Sequence, residues 1–383
     1  MNIEFSERLK SLPPYLFAEI DKAKRRAKEE GKDIIDFGIG DPDSPTPDFI
    51  VEAMKKAVSD GTNHHYALDA GLASLRVAIA NWYKKRFNVE LDPDKEVYPL
   101  IGSKEGIVHL PLAIINPKDK VLVPEPGYPA YRSGVIFAGG KPEALPLLAK
   151  NNFLPDLGKL KDAKLMFVNY PNNPTASVAS LDFYKELVNV ARQKNMIIAS
   201  DLAYSEIYYD EAKPGSLLEV EGAREIAVEF HSLSKTFNMT GWRFGWVSGN
   251  NRLIEALGKL KTNIDSGVFQ AIQLSAITAL ESDDSHPADM RRLYQERRDY
   301  LINGLRSIGW KITPPAATFY VWAKLPKGYS SSIDFAKMLL EKADIVVTPG
   351  LGFGKSGEGY IRFALTVAKD RISEAVNRLK NIL

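Results

Sequence analysis

Between residues 97 and 248, six short apolar runs alternate with helix-length stretches, and this alternation restricts the fold more than any other feature of the 383-residue chain. The runs at 97–101, 121–124, 165–169, 196–201, 226–230 and 245–248 are each about one strand long. Runs of this kind fit strands buried on both faces, so the pattern predicts a largely parallel sheet covered by helices. Ligands in such sheets bind where strands end and loops begin. After residue 250 the pattern changes. Helices are expected at 250–260, 270–280 and 288–308, a strand near 318–323, a helix near 333–342, a strand at 345–348, a Gly-rich loop at 350–359 and a strand at 360–365. That order predicts a second, smaller α+β unit. The expected division is an arm plus part of the small domain over 1–45, a large domain over 46–280 and a small domain over 281–383. One long helix, not a flexible tether, is expected to join the two parts.

Ahead of the sheet, Phe17, Ile20, Ala23 and Ala27 recur at helical spacing until Gly31, which predicts an amphipathic arm helix. A short strand at 33–38 runs into GIGDPDSPTP (38–47), whose glycines and prolines exclude helix and central strand and predict an ordered loop walling a site. Helices follow at about 48–58 and 72–87.

Composition removes several classes of function. A formal charge of +2 gives no footprint for nucleic acid, and no stretch approaches the ~18 apolar residues of a membrane span. The absence of cysteine excludes disulfides, thiolate nucleophiles and cysteine metal sites. The five histidines show no ligand spacing, so no metal is expected. The opening MNIEFSERLK carries an early acid and no apolar run, so a secretory signal is not expected and the cytoplasm is the default compartment.

The chemistry concentrates in EFHSLSKTFNMTGWRFGW (229–246). Lys235 follows Ser232 and Ser234 where a buried strand ends, and Arg243 comes eight residues later. A lysine partly withdrawn from water has a depressed pKa and condenses with carbonyls. Two hydroxyls and a guanidinium suit a phosphate. An aldehyde bearing a phosphate fits the pair, and pyridoxal phosphate is one. Taken alone, Ser-x-Ser-Lys is also what an ordinary solvated turn looks like. Gly241 and Gly245, which permit close backbone approach, and an arginine among Trp242, Phe244 and Trp246, where an unpaired charge is costly, favour a site. Gly102, Ser103 and Lys104 open a helix after the first strand, and a helix start offers free N–H groups to an anion. A pyridine nitrogen held protonated calls for a carboxylate, and Asp201, ending MIIASD, is the candidate, although a strand-terminal aspartate is also a common turn former.

With these flanks the 229–246 stretch resembles the lysine loop of the fold-type I pyridoxal-phosphate aminotransferases. Asp201-Leu202-Ala203-Tyr204 matches that family's Asp-x-x-Tyr pattern, and NYPNNPTA (169–176) matches its Asn-Pro-Thr-Gly loop, with Ala176 in place of glycine. The resemblance implies an α/β fold with a mainly parallel sheet and a smaller α+β domain. It also implies that Lys235 is the Schiff-base lysine, that Asp201 meets the pyridine nitrogen, and that Tyr204 and Asn173 bond the phenolate oxygen. Tyr128 in PEPGYPAY would stack on the ring, and Ser103, Lys104, Ser232, Ser234 and Arg243 would hold the phosphate. Tyr66, five residues before Gly71, matches a tyrosine that reaches the neighbouring subunit's phosphate, which implies a homodimer with shared sites. Arg362 in YIRFAL would clamp the substrate α-carboxylate, with Gly40 and Asn173 beside it.

Within that family, IGSKEGIVHLPLAIINP, YPNNPT and NIDSGVFQAIQ look closest to the LL-diaminopimelate aminotransferases of lysine biosynthesis. Their substrate carries a second amino-acid head. The resemblance therefore implies a distal-carboxylate contact at Lys104, further contacts at Asn263 and Tyr15, and an ammonium contact at Asp69. The second substrate would be 2-oxoglutarate. The rivals are an alanine or aspartate aminotransferase, a β-lyase, and a ligand sensor fused to a DNA-binding module, for which the chain offers neither spare length nor a basic face.

Overall fold

The computed structural model describes residues 3–12, 22, 24–27, 29–67 and 70–383. Its strands are, in chain order, β1 (Ile35–Asp36), β2 (Val97–Leu100), β3 (Lys120–Glu125), β4 (Lys141–Pro146), β5 (Leu165–Asn169), β6 (Ile197–Asp201), β7 (Ala227–Ser232), β8 (Gly245–Gly249), β9 (Tyr320–Lys324), β10 (Ile345–Val346), β11 (Thr348–Pro349) and β12 (Tyr360–Ala364). Strands β2 to β8 form one seven-stranded sheet in the order β2-β8-β7-β6-β5-β3-β4. Every pairing in it is parallel except those of β8, which runs antiparallel to both neighbours. The expected parallel sheet is thus present, with one reversed strand that its apolar run does not disclose.

Burial on both faces explains the uniform apolar runs. Leu165 and Phe167 face one core, under helices Ser103–Ile114, Pro129–Phe137 and Asn251–Lys261. Met166 and Val168 face the other, which the residues of helix Leu181–Gln193 help to fill. Strand β4 escaped the sequence reading. Its KPEALP has two prolines and mostly unburied side chains, as an edge strand tolerates.

A third core gathers β9, β12 and helices Ser285–Ser307, Ser332–Ala343 and Lys369–Lys380. The expected strand at 345–348 is divided: β10 pairs in parallel with β1, and β11 pairs antiparallel with β12. The Gly-rich 350–359 loop holds two short 3-10 turns, Gly350–Phe353 and Lys355–Gly357. Within the long helix Ser285–Ser307, the Arg297 guanidinium forks onto Asp43 at 2.7 and 2.8 Å and also donates to the Leu365 carbonyl at 3.0 Å. Among the described residues no helix is long and apolar enough to cross a membrane.

Candidate active site

Strands β5, β6 and β7 end side by side, with Asn169 in register with Asp201 and Asp201 with Phe230. Past these ends opens a cavity of about 620 Å3, walled on one side by the large sheet's loops and on the other by Gly38, Gly40, Tyr320, Thr348 and Arg362. Of the residues singled out in the sequence, Gly40, Ser103, Lys104, Tyr128, Asn173, Asp201, Tyr204, Ser232, Ser234, Lys235, Arg243 and Arg362 all line it.

Strand β7 runs two residues further than its apolar run, through the buried His231 and Ser232. One helical turn, Leu233–Thr236, then turns Lys235 toward the cavity, capped by Ser232 Oγ, which accepts the Ser234 N–H at 3.1 Å. Lys235 Nζ donates to the Gly40 carbonyl at 2.9 Å. Burial, aided by the positive charges of Arg362 and Arg243 and opposed by Asp41, pulls its pKa down to about 8. The amine is therefore far easier to deprotonate than a surface lysine.

Asp201 sits at the floor. Its Oδ2 accepts the Tyr131 hydroxyl at 2.7 Å, its Oδ1 the Ala203 N–H at 3.3 Å, and burial raises its pKa to about 6 against those two donors. Asn169 braces this floor: its amide donates to the Asp201 carbonyl at 2.8 Å and its Oδ1 accepts the Asn173 N–H at 2.8 Å. Ala176 closes the loop at φ 60°, so the chain takes the left-handed turn with alanine at the strain glycine would avoid. The Tyr204 hydroxyl lies 3.0 Å from that of Tyr320, and burial keeps the Tyr204 pKa well above its ordinary value.

Arg362 reaches across from β12. Its Nη1 donates to Asn173 Oδ1 at 2.8 Å and its Nη2 to the Gly38 carbonyl at 2.9 Å, while the buried Nε has no partner. Its guanidinium carbon stands 4.2 Å from the centroid of the Tyr320 ring.

At the opposite end, helix Ser103–Ile114 points its N-terminus into the cavity. A Cβ on its cap, Gly102, would run into the Arg243 guanidinium, and Gly102 has φ 79°, so glycine is required twice over. The environment expected for Arg243 needs correction. Phe244 and Trp246 are buried, but Arg243 is exposed at φ 57° and its Nη1 donates to the Thr240 carbonyl at 2.6 Å. Lys104 is exposed at the rim.

Two further candidates, Tyr66 and Asn263, are not among the residues lining this cavity. Tyr66 is 89% exposed, and Asn263 is exposed past helix Asn251–Lys261 with its amide on the Lys259 carbonyl at 2.8 Å. Tyr15 and Asp69 lie outside the described residues. Sequence reasoning passed over Tyr131, Asn169, Tyr320 and Thr348. Tyr131 and Asn169 carried a usable signal, since one lies in the same PEPGYPAY run as Tyr128 and the other ends the strand beside that of Asp201.

The profile of the family described as aminotransferase class I and II matches residues 32–379. The chain belongs to the aminotransferase class I and II family. Among this family's curated members, an LL-diaminopimelate aminotransferase from Halothermothrix orenii is 54% identical over 384 residues, covering 99% of this chain and 98% of the relative. One of the same name from Aquifex aeolicus is 53% identical over 384 residues, covering 99% of each. Among solved structures, substrate-bound BacF from Bacillus subtilis superposes with a TM-score of 0.95 at 38% identity, covering 100% of this aminotransferase chain and 98% of that one.

Proposed function

We propose that the chain is a pyridoxal-phosphate-dependent aminotransferase that interconverts LL-2,6-diaminopimelate and 2-oxoglutarate with tetrahydrodipicolinate, glutamate and water. We place it in the cytoplasm as a homodimer, in which Tyr66 and Asn263, both exposed on one chain, complete the partner's site. The observation that carries the chemistry is Lys235, an amine whose pKa is drawn down to about 8 in a cavity that also holds the Asp201 carboxylate and the Arg362 fork. The choice of substrate is supported by the two relatives that match over their full length.

The residues present fit the cofactor. Gly102 leaves room for a helix N-terminus and a guanidinium to meet at one anion, and Asp201 has acceptor capacity beyond its two donors. Pyridoxal phosphate, when bound, supplies an aldehyde for amine exchange and an electron sink for the bonds at Cα. The N-terminus of helix Ser103–Ile114, Ser232, Ser234 and Arg243 hold the phosphate. Asp201 keeps a ring N–H protonated, and the Tyr128 ring packs against the ring face. Tyr204, kept as a phenol by burial, donates to the ring oxygen. Asn173 offers its amide N–H groups to the same oxygen because its Oδ1 is already taken by Arg362. Arg362 binds the α-carboxylate beside Gly40, which orients the Cα–H toward Lys235. Lys235, as a free amine, takes the proton from Cα as general base and gives it up again as general acid. Lys104 receives the distal carboxylate, and the family resemblance assigns a further polar contact to Tyr15 and the distal ammonium to Asp69.

Initial rates with LL-diaminopimelate, alanine and aspartate, each with 2-oxoglutarate as acceptor, test the proposal. The expected order puts LL-diaminopimelate first. Equal or faster turnover of alanine or aspartate would replace the substrate assignment with the rival one.

A further inference from the structure

His231 is fully buried, immediately before Ser232, the first hydroxyl of the lysine turn, and nothing in the reaction uses it. Its ring lies between two indoles, stacked on Trp246 at 4.7 Å and 20° and tilted against Trp82 at 4.8 Å. These neighbours fix the plane of the imidazole, and its hydrogen bonds fix its protons. The Ser232 backbone N–H donates to Nδ1 at 2.8 Å, so Nδ1 carries no proton. The other nitrogen, Nε2, is 2.8 Å from Ser205 Oγ, whose own hydroxyl donates to Glu206 Oε1 at 2.9 Å. Nε2 therefore holds the proton and donates it to Ser205. Glu206 Oε1 is anchored in turn by Arg86 Nε at 2.9 Å. Burial drives the imidazole pKa down to about 3, which keeps this single neutral tautomer.

The sheet explains why an acceptor is needed. Strand β6 ends at Asp201, opposite Phe230, and the Phe230 carbonyl is taken by the Leu202 N–H at 2.8 Å. Backbone groups two residues apart on a strand point to the same side. The Ser232 N–H thus points where β6 has already left, and a buried amide without a partner is costly. The imidazole takes the place of the missing strand.

We propose that His231 is a positioning residue for the phosphate-binding turn, holding the Ser232 amide at the end of an oriented chain that runs from Glu206 through Ser205. The proposal rests on the cofactor reading given above. Ser232 Oγ caps the turn and lies 2.8 Å from Ser234 Oγ, so a shift of this one amide moves both hydroxyls and Lys235 together.

The test is a titration of apoenzymes with pyridoxal phosphate, followed by absorbance, alongside apoenzyme thermal unfolding and the KM for LL-diaminopimelate. His231→Leu fills the space without an acceptor and should weaken cofactor binding roughly ten- to hundredfold. His231→Asn places a carbonyl near the Nδ1 position and should recover most of that loss. Ser205→Ala should cost about two- to tenfold. The KM should stay near wild type in all three, because Arg362 and Lys104 lie on other elements. A folded leucine variant that binds the cofactor as wild type does would overturn the proposal. So would an asparagine variant as weak as the leucine one, since ring stacking would then be what matters. Should the leucine variant fail to fold, Ser205→Ala decides: weakened binding supports the chain and unchanged binding overturns it. Wild-type apoenzyme that does not bind pyridoxal phosphate at all would instead bring down the cofactor reading itself.

Discussion

Asp201 and Glu229 are buried carboxylates on the neighbouring strands β6 and β7, and their surroundings differ in one respect. Glu229, fully buried, receives the Ser216 hydroxyl at 2.6 Å, and the Ser200 hydroxyl, the Tyr83 hydroxyl and the Leu217 N–H each at 3.1 Å. Asp201 receives one good donor from Tyr131 and a long one from Ala203, and it faces a cavity. Burial raises the pKa of both, to about 7 for Glu229 and about 6 for Asp201. A raised pKa therefore does not separate a site from a core. Unused acceptor capacity opening onto a cavity does.

Exchanging each acid sharpens the contrast. Asp201→Asn should lower kcat roughly 10²–10³-fold, because it removes a preorganised charge at the reacting ring, while leaving the apoenzyme melting temperature nearly unchanged. A kcat near wild type would make Asp201 a turn residue like any other. Glu229→Ala should do the reverse: about 2–4 kcal/mol lost in urea unfolding, since four donors lose their acceptor, with kcat per folded molecule retained. A large loss of kcat in a folded Glu229→Ala protein would break the distinction.

The same contrast extends to lysines. Lys235 is withdrawn from water and Lys104 is exposed at the rim. Lys104→Ala removes a charge-assisted bond that solvent screening at the exposed rim holds to roughly 0.5–1 kcal/mol, so kcat/KM for LL-diaminopimelate should fall about two- to fivefold, while alanine, which has no distal head, is affected far less. Proportional loss for both donors would assign Lys104 to the cofactor or the fold. The last contrast is one of pH. Because the folded pKa of Glu229 is raised from 4.5 to about 7, its contribution to stability is fully present below 4.5 and is lost as pH rises through 7. The slope is at most about 1.4 kcal/mol per pH unit, and Glu229→Gln should flatten it in urea titrations between those pH values.

Much of this was legible in the sequence because two-sided burial leaves a plain signature. The apolar runs that became β2, β3 and β5 to β8 are all present within a residue or two, and the chemistry-bearing residues at their ends could be named from local motifs. Legibility failed where partners are distant in sequence. The antiparallel course of β8 is a matter of pairing, not of composition, and β4 hid behind the prolines an edge strand tolerates. Tyr131 gains its role only because Asp201, 70 residues on, is brought to its hydroxyl. Likewise Asn173 and Arg362 meet across 189 residues, and only then does the arginine keep an unpaired Nε beside the cavity. Tyr66 and Asn263 show the other limit, since one chain leaves both exposed.

The most direct measurement loads the protein with pyridoxal phosphate, reduces it with borohydride and maps the modified peptide by mass spectrometry. The amine at the end of β7 should be the one captured, so the reduced pyridoxyl group is predicted on Lys235, and Lys235→Ala should carry no label at any lysine. Label on Lys104 or any other lysine, with Lys235 unmodified, would contradict the account.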